Sequence, residues 1–441
     1  MEFQTFLHTL DTKTVPKDTL LFAKRCTLDL IGVMAAGKHT DLGKIIADHA
    51  ASQFGAGDKA ATIMFDGRTV SPAGAALANG MTIDSIDAHD GFRPAKGHIG
   101  CHLLPALMAI YQAEGAPDGD GFLLDMVLGY EIGARAATAL HGSVPDYHTS
   151  GAWGAVSSAA MGARHLKFDT ETTRHAIGIA EYHGPRSQMM RCIDHPTMLK
   201  DGSGWGAMAG VSAVYLAQSG FTGAPAITIE GQDVADHWSD LGSRWTILEQ
   251  YFKPYPVCRW AQPSVAAALA IADEHELTHE TIETIEAVSF HEATRLATRK
   301  PRDTEQAQYS LPYSVAAALV FGQIGPEQVS GQSLSDPRVL RLSETMTLTE
   351  TDAYNATFPA DRLAHVIVTL KDGRVLKSDT HRAIGDHEYP LTDQEISAKF
   401  HALSNPVIGE ARAKRIETMV NRLDEGGSVD ELLTELSAPI I

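Results

Sequence analysis

The chain is poor in cysteine, short of positive charge and without a long apolar run. Its four cysteines, Cys26, Cys101, Cys192 and Cys258, are spread over 441 residues. They are too few and too scattered for a disulfide framework, and the expected setting is a reducing cytoplasm. Lysine and arginine number 36 against 55 aspartates and glutamates, a formal net charge of −19. That balance excludes general nucleic-acid binding, which neutralises phosphates with basic patches. No apolar stretch approaches the roughly 18 residues of a membrane-spanning helix, so no membrane partner is expected. The opening MEFQTFLHTLDTK has no basic segment followed by an apolar one, so no secretory signal is expected. What is present, 44% hydrophobic and 21% charged residues, is an ordinary globular composition. Were the ligand an anion, basic residues would have to be gathered locally against the overall field.

The length suggests two to four domains, or one large core with an appendage. Up to about Gln250 the chain reads as helix after helix. Leu20, Ala23, Thr27, Leu30 and Met34 share one stripe, with Gly37 as a stop. Phe122 to Leu140 repeats the pattern, and Glu131 and Arg135 stand at i,i+4. Small residues dominate Gly154 to Ala163 and again Gly204 to Gln218, as in helices that pack closely. After Gln250 the texture changes. FKPYPVCRWAQP carries three prolines and reads as an irregular connection. A helix over about Ser264–Glu274 follows, then a strand over Thr284–His291. Leu363 to Thr380 reads as a hairpin turning on Asp372-Gly373. From about Thr392 the tail returns to helix. The expected fold is mainly α: a large helical domain from residues 1–249 plus 393–441, with a smaller α+β lid domain inserted at 250–392.

Two motifs tempt. His275-Glu276-Leu277-Thr278-His279 matches HExxH, but Thr278 suits a turn or helix start and no third ligand follows, so a solvated helix end is favoured. Gly202-Ser203-Gly204-Trp205-Gly206 resembles a dinucleotide-binding turn, yet DHPTMLK before it is no strand, and glycines that let helices pack are favoured. The 20 histidines form no cluster with Cys or carboxylate at metal-ligand spacing. Neither a metal nor a cofactor is expected.

The most informative segment is Asn79 to Ala109, NGMTIDSIDAHDGFRPAKGHIGCHLLPALMA. Between two helical stretches lies a loop holding Asp87, His89, Asp90, Arg93, Lys96 and His98. Mixed acids, imidazoles and cations on such a loop are typical of functional sites; Asp87 or Asp90 could equally serve as helix caps.

This segment resembles the MmgE/PrpD family, which carries an Asp-rich loop followed by His and a PALLAL-like helix. The resemblance continues in order along the chain. His148 in DYHTSGAWGAVSSAAMGARHL precedes a small-residue helix, and Lys200 in MLKDGSGWGAMAG opens another. Lys253 and Cys258 fall in FKPYPVCRWAQP, and Tyr313 in QYSLPYSVAAAL. The match spans nearly the whole chain. It departs at Gln262, where many relatives have His, at Cys258, where some have His, and in Asp87-Ala88-His89-Asp90, which is not a run of adjacent acids.

The resemblance implies a helical domain with a smaller α+β lid, paired as a homodimer. It also implies action on a small anionic polycarboxylate without a redox cofactor: dehydration, decarboxylation or epimerisation through a carbanion-like centre beside a carboxylate. That chemistry needs a base, an acid and donors that hold carboxylates. His148 and His98 suit proton transfer. Lys200 suits carboxylate binding or, desolvated, service as a base. Tyr313 suits donation to an oxyanion, and Asp87 suits orienting an imidazole. Cys258 is either a proton donor or a packing residue. Lys253, Arg93, Arg191 and Arg259 are the remaining anion-binding candidates. The first expectation is a dehydratase-type lyase, the second an epimerase of an iminodisuccinate-like dicarboxylate, and the third a non-catalytic metabolite-binding relative.

Overall fold

A computed structural model describes residues 1–440. The chain is mainly helical, as the apolar spacing requires. The first part runs α1 (Phe3–Thr9), α2 (Lys17–Gly37), α3 (Asp41–Gln53), α4 (Pro72–Asp84), α5 (Gly100–Glu114), α6 (Gly119–Ser143), α7 (Gly151–His165), α8 (Thr170–His183), α9 (Met189–Asp194), α10 (Ser203–Gln218) and α11 (Ile227–Glu230). Local chemistry sets the starts. Thr40, Ser71, Asp118 and Asp169 each accept a backbone N–H at the first turn of α3, α4, α6 and α8, filling donors that a helix leaves open. Two short strand pairs that the sequence pattern does not announce interrupt this part: β1 (Ala61–Thr62) with β2 (Thr69–Val70), and β3 (Gly91–Phe92) with β4 (Gln250–Tyr251). The second pair ties the Asp-rich loop to the start of the proline-rich connection.

The small-residue helices meet as expected. A Cβ added at Gly80 of α4 would stand 2.6 Å from the Cα of Gly204 in α10. The glycines after Lys200 therefore serve close packing, and no strand precedes them. The HExxH segment is also accounted for: α12 (Gln262–Glu274) ends before it, and Glu276 has φ +50°. The two histidines thus do not share a helical face.

The following part contains α13 (His291–Thr294), α14 (Thr304–Gln308), α15 (Leu311–Phe321), α16 (Pro337–Thr345), α17 (Asp352–Asn355) and one sheet. The strands are β5 (Ile282–Ser289), β6 (Thr347–Glu350), β7 (Leu363–Leu370), β8 (Val375–Lys377) and β9 (His381–Arg382). The order is β6-β5-β7-β8, with β9 also on β7. Strand β5 runs parallel to β6 and antiparallel to β7. Along β7, Ala364, Val366, Val368 and Leu370 are buried and alternate with half-buried residues, the period-two pattern of a one-sided strand. The hairpin turns at Asp372-Gly373, where Gly373 takes φ +89°.

The tail forms α18 (Asp393–Ile408), α19 (Glu410–Asn421) and α20 (Val429–Ser437). Thr392 and Glu395 cap α18 reciprocally. This helix lies on α2, with Lys399 2.5 Å from Asp29. One hydrophobic core joins residues from α1 to Ile247 with tail residues Leu391 to Leu436. A second joins Met189, Cys192 and Ile193 with residues from Val257 to Leu370. No helix among the described residues is long and apolar enough to cross a membrane.

Candidate active site

The site lies where the loop between α4 and α5 meets the start of α10 and the Lys253–Tyr309 region. Asp87, His89, Asp90 and His98 are all buried. So are Asp84, at the end of α4, and Asp201, just before α10. Burying so many ionisable groups is costly unless each finds a partner, so their hydrogen bonds define the chemistry.

His98 Nδ1 faces the carbonyl oxygen of Asp90. A carbonyl only accepts, so Nδ1 carries the hydrogen and Nε2 keeps a lone pair. His98 N donates to Ser150 Oγ at 2.9 Å, and its carbonyl receives Trp153 Nε1 at 2.8 Å. These bonds fix the ring. Burial, reinforced by His89 and Lys253, pushes the His98 pKa well below the usual imidazole value, against the pull of Asp87. His98 is thus a neutral imidazole in the tautomer of a base.

Asp201 is its opposite. Its Oδ2 lies 4.0 Å from His98 Nε2 and accepts the Ser150 hydroxyl; its Oδ1 has no partner among the described residues. Burial, and then the charge of Asp84, raise its pKa to about 7. Asp84 Oδ2 receives the N–H groups of Asp201 and Ser203 at 3.2 Å, which locks the α10 start to the α4 end. Asp90 is also raised to about 7, by burial foremost and with Asp29 adding, although Tyr130 donates to it.

Lysines meet this centre from two directions. Lys253 pairs with the Asp87 carboxylate and donates to the Asp87 carbonyl at 3.2 Å. Burial alone would raise the Asp87 carboxyl, but Lys253 and Lys200 reverse that and hold it well below the ordinary range. Lys200 takes φ +49°, a conformation costly for a side-chain-bearing residue and common at functional sites. Its ammonium donates to Gln308 Oε1 and lies 4.9 Å from the Tyr309 ring centroid. Gln308 also holds the far side together: its Nε2 donates to the Ser85 carbonyl at 3.2 Å, and its carbonyl receives Cys258 N at 2.8 Å. Burial, with Asp87 adding, pushes the Cys258 thiol up to about 12, so it is held as a thiol.

The structure therefore brings together His98, Asp87, Lys200, Lys253 and Cys258. Arg259 stands at the edge, 4.3 Å from the Tyr251 ring centroid, with Asp386 at 3.0 Å and the Ile384 carbonyl at 2.7 Å. Four other candidates sit elsewhere. His148 Nδ1 is 3.2 Å from the Arg186 carbonyl and its ring stacks on His141; its neighbour Tyr147 instead reaches the loop, donating to the Lys96 carbonyl. Tyr313 donates to the Gln328 carbonyl at 2.8 Å within the second core. Arg93 is 2.5 Å from Glu388. Arg191 is exposed on α9 and borders a cavity of about 350 Å³ whose wall also includes Thr149, Cys192, Lys200 and Trp205.

Sequence reasoning missed Asp84, Asp201, Ser150, Tyr251, Gln308, Tyr309 and Arg362. It also missed that Asp87, His89 and His98 bring possible ligand atoms within 4.8 Å of one another. By donor type the trio resembles a two-histidine, one-carboxylate site. The fit is poor, because Lys253 already sits on Asp87 and His98 Nδ1 is turned to a carbonyl. A dication would have to displace that ammonium.

A neutral imidazole, a carboxyl raised to about 7 and buried ammonium groups thus meet on a helical scaffold. The chain belongs to the MmgE/PrpD family: residues 1–243 match the model of its N-terminal domain and residues 255–425 that of its C-terminal domain. It is 24% identical to a cis-aconitate decarboxylase-like protein, oryM, of Aspergillus oryzae, over 98% of this chain and 95% of that protein. It is 25% identical to the cis-aconitate decarboxylase of Mus musculus, over 100% and 93%. The corresponding figures for the Homo sapiens cis-aconitate decarboxylase are 23%, 99% and 94%.

Proposed function

We propose that the protein is a cofactor-independent, dehydratase-type lyase acting on a small hydroxylated di- or tricarboxylate. His98 removes a proton beside a carboxylate, Lys200 stabilises the enediolate-like charge that develops, and Asp201 supplies the proton that lets hydroxide leave as water. The observation that carries this reading is the inverted pair: an imidazole held neutral 4.0 Å from a carboxyl raised to about 7. Opposed shifts of this kind mark the base and the acid. Decarboxylation, the activity in the names of the relatives above, draws its electrons from a breaking C–C bond and needs no base. A free imidazole Nε2 therefore favours C–H cleavage.

A second reading, epimerisation of an iminodisuccinate-like dicarboxylate, is favoured by Cys258, a second buried proton-bearing group near Asp87 and Lys253 besides His98. The test is to incubate hydroxylated and amino polycarboxylates in D₂O and follow them by NMR. Alkene formation is expected. Deuterium uptake with stereochemical scrambling and no alkene would replace the lyase by the epimerase, and release of CO₂ would overturn both. His98→Asn is expected to lower kcat/KM by about 10²–10⁴, the range for a lost general base. A homodimer, supported by the family resemblance, belongs to the same proposal, as do a cytoplasmic setting, supported by the few unpaired cysteines, and the domain division at 249/250 and 392/393, supported by the change of sequence texture.

A further inference from the structure

The cations around the site are not equivalent once their partners are counted. Lys253 is matched by Asp87, Arg259 by Asp386, and Arg93 by Glu388 and Asp386. Lys96 is only half-buried, with its ammonium 4.9 Å from the Tyr147 ring centroid. Two cations remain. Lys200 is 2% exposed, and its hydrogen-bond partner is the neutral amide of Gln308. Arg362 is 3% exposed, and its Nε and Nη1 have no hydrogen-bond partner among the described residues.

A buried, unpaired guanidinium costs several kcal/mol, and a fold tolerates such a group where an anion completes it. Arg362 is also in the right place. It stands just before β7, with its guanidinium carbon 5.9 Å from the Tyr251 ring centroid. Tyr251 packs edge-on against His98, centroids 6.4 Å apart. Arg362 also acts on the Cys258 thiol and the Tyr147 phenol, and Cys258 is tied by its N–H to Gln308, the residue that holds Lys200.

We infer that Arg362 is a substrate-binding residue which, with Lys200, holds the two carboxylates of a dianionic substrate, so that the site takes dicarboxylates in preference to tricarboxylates. This rests on the polycarboxylate reading above. Arg362 grips one carboxylate through its planar fork and Lys200 neutralises the other. A third carboxylate would enter a buried site without an unpaired cation to meet it, and it pays desolvation without return.

The test measures binding by titration calorimetry, without turnover, so it stands apart from the choice of reaction. The probes are succinate, tricarballylate and butyrate, which carry two, three and one carboxylates respectively. The unaltered protein is expected to bind succinate at least tenfold more tightly than either of the others. Arg362→Gln should weaken succinate at least tenfold and Arg362→Lys less. Because Arg362→Gln removes an uncompensated charge, its melting temperature without ligand should not fall. The inference is overturned if the unaltered protein does not bind succinate, if tricarballylate binds as tightly, if Arg362→Gln binds succinate within twofold of the unaltered protein, or if that variant melts lower. If no alkene forms with any substrate while succinate binding follows the expected order, the lyase reading fails and this inference stands.

Discussion

Replacing Lys253 by methionine keeps most of the length of the side chain and removes its charge. Asp87 then remains buried at 3% exposure with its ion-pair partner gone. Removing one partner of a buried pair costs about 3–5 kcal/mol, because the other charge stays without water. At about 2.1 cal/mol/K per residue, a chain of 441 residues unfolding as a unit has an unfolding entropy of roughly 0.9 kcal/mol/K. The midpoint should therefore drop about 3–5 °C. The pH dependence sharpens the test. In the unaltered protein the Asp87 pKa is depressed. Its stabilising contribution is present above the unfolded carboxyl value near 3.9 and fades as pH falls through the depressed folded value. Without Lys253, burial pushes the carboxyl up, opposed mainly by Lys200. A raised carboxyl favours the folded state at low pH and loses that advantage as pH rises. The gap between the two proteins should thus widen from pH 5 to pH 8 in thermal melts. The double variant Asp87→Asn with Lys253→Met should cost less than the two single changes added, by at least about 2 kcal/mol. A gap that does not change with pH, together with additive costs, would refute the reasoning.

Two further predictions concern the proton-transfer groups. Asp201 must hold its proton and titrates at about 7, so kcat/KM should fall on the alkaline side near pH 7, while the acid limb from His98 lies well below the ordinary imidazole range; Asp201→Asn should lose the alkaline limb, and an unchanged profile would remove Asp201 from the acid role. With the Cys258 thiol at about 12, only about one molecule in 10⁴ is thiolate at pH 8, so iodoacetamide should label Cys258 only on unfolding. Cys258→Ser should keep lyase turnover within about tenfold if the thiol only packs, and a loss beyond a hundredfold would assign it a proton in the epimerase sense.

The helices and the hairpin were legible because short-range rules govern them. The stripe from Leu20 to Met34 became α2, ending at Gly37, and Asp372-Gly373 turned the hairpin. The loop from Asp87 to His98 was legible because acids, imidazoles and cations are dense there. Asp84 was hidden for the opposite reason: as the last residue of α4 it looks like an ordinary polar helix end, and only the return of α10 gives it two N–H groups to hold. Asp201 stood in the quoted MLKDGSG beside Lys200, but its raised pKa comes from burial in the folded site and then from Asp84, over a hundred residues earlier. Tyr309 and Tyr313 flank the same short break between α14 and α15. Tertiary packing turned Tyr309 toward Lys200 and Tyr313 toward the Gln328 carbonyl. Arg362 follows Asp361 at the start of a strand, and nothing in the sequence distinguishes it from a solvated arginine.

The negative balance of the chain and a site built on cations are reconciled by distance and by partners. Exposed charges are screened within about 8–10 Å at ordinary ionic strength, so a net charge of −19 acts mainly on the approach of an anion and hardly on its bound state. Inside, most cations are already spent. Lys253, Arg259 and Lys399 each face a carboxylate, and those pairs hold the loop, the β4 region and α18 in register. Their charge does not draw a substrate. Lys200 and Arg362 break the pattern, and because they are buried a carboxylate beside either is attracted far more strongly than at the surface. The same burial keeps His98 neutral and raises Asp201 to about 7. One physical condition, removal of water, therefore sets the proposed base, the proposed acid and the unpaired cations together. Any change that hydrates this pocket should weaken all three at once.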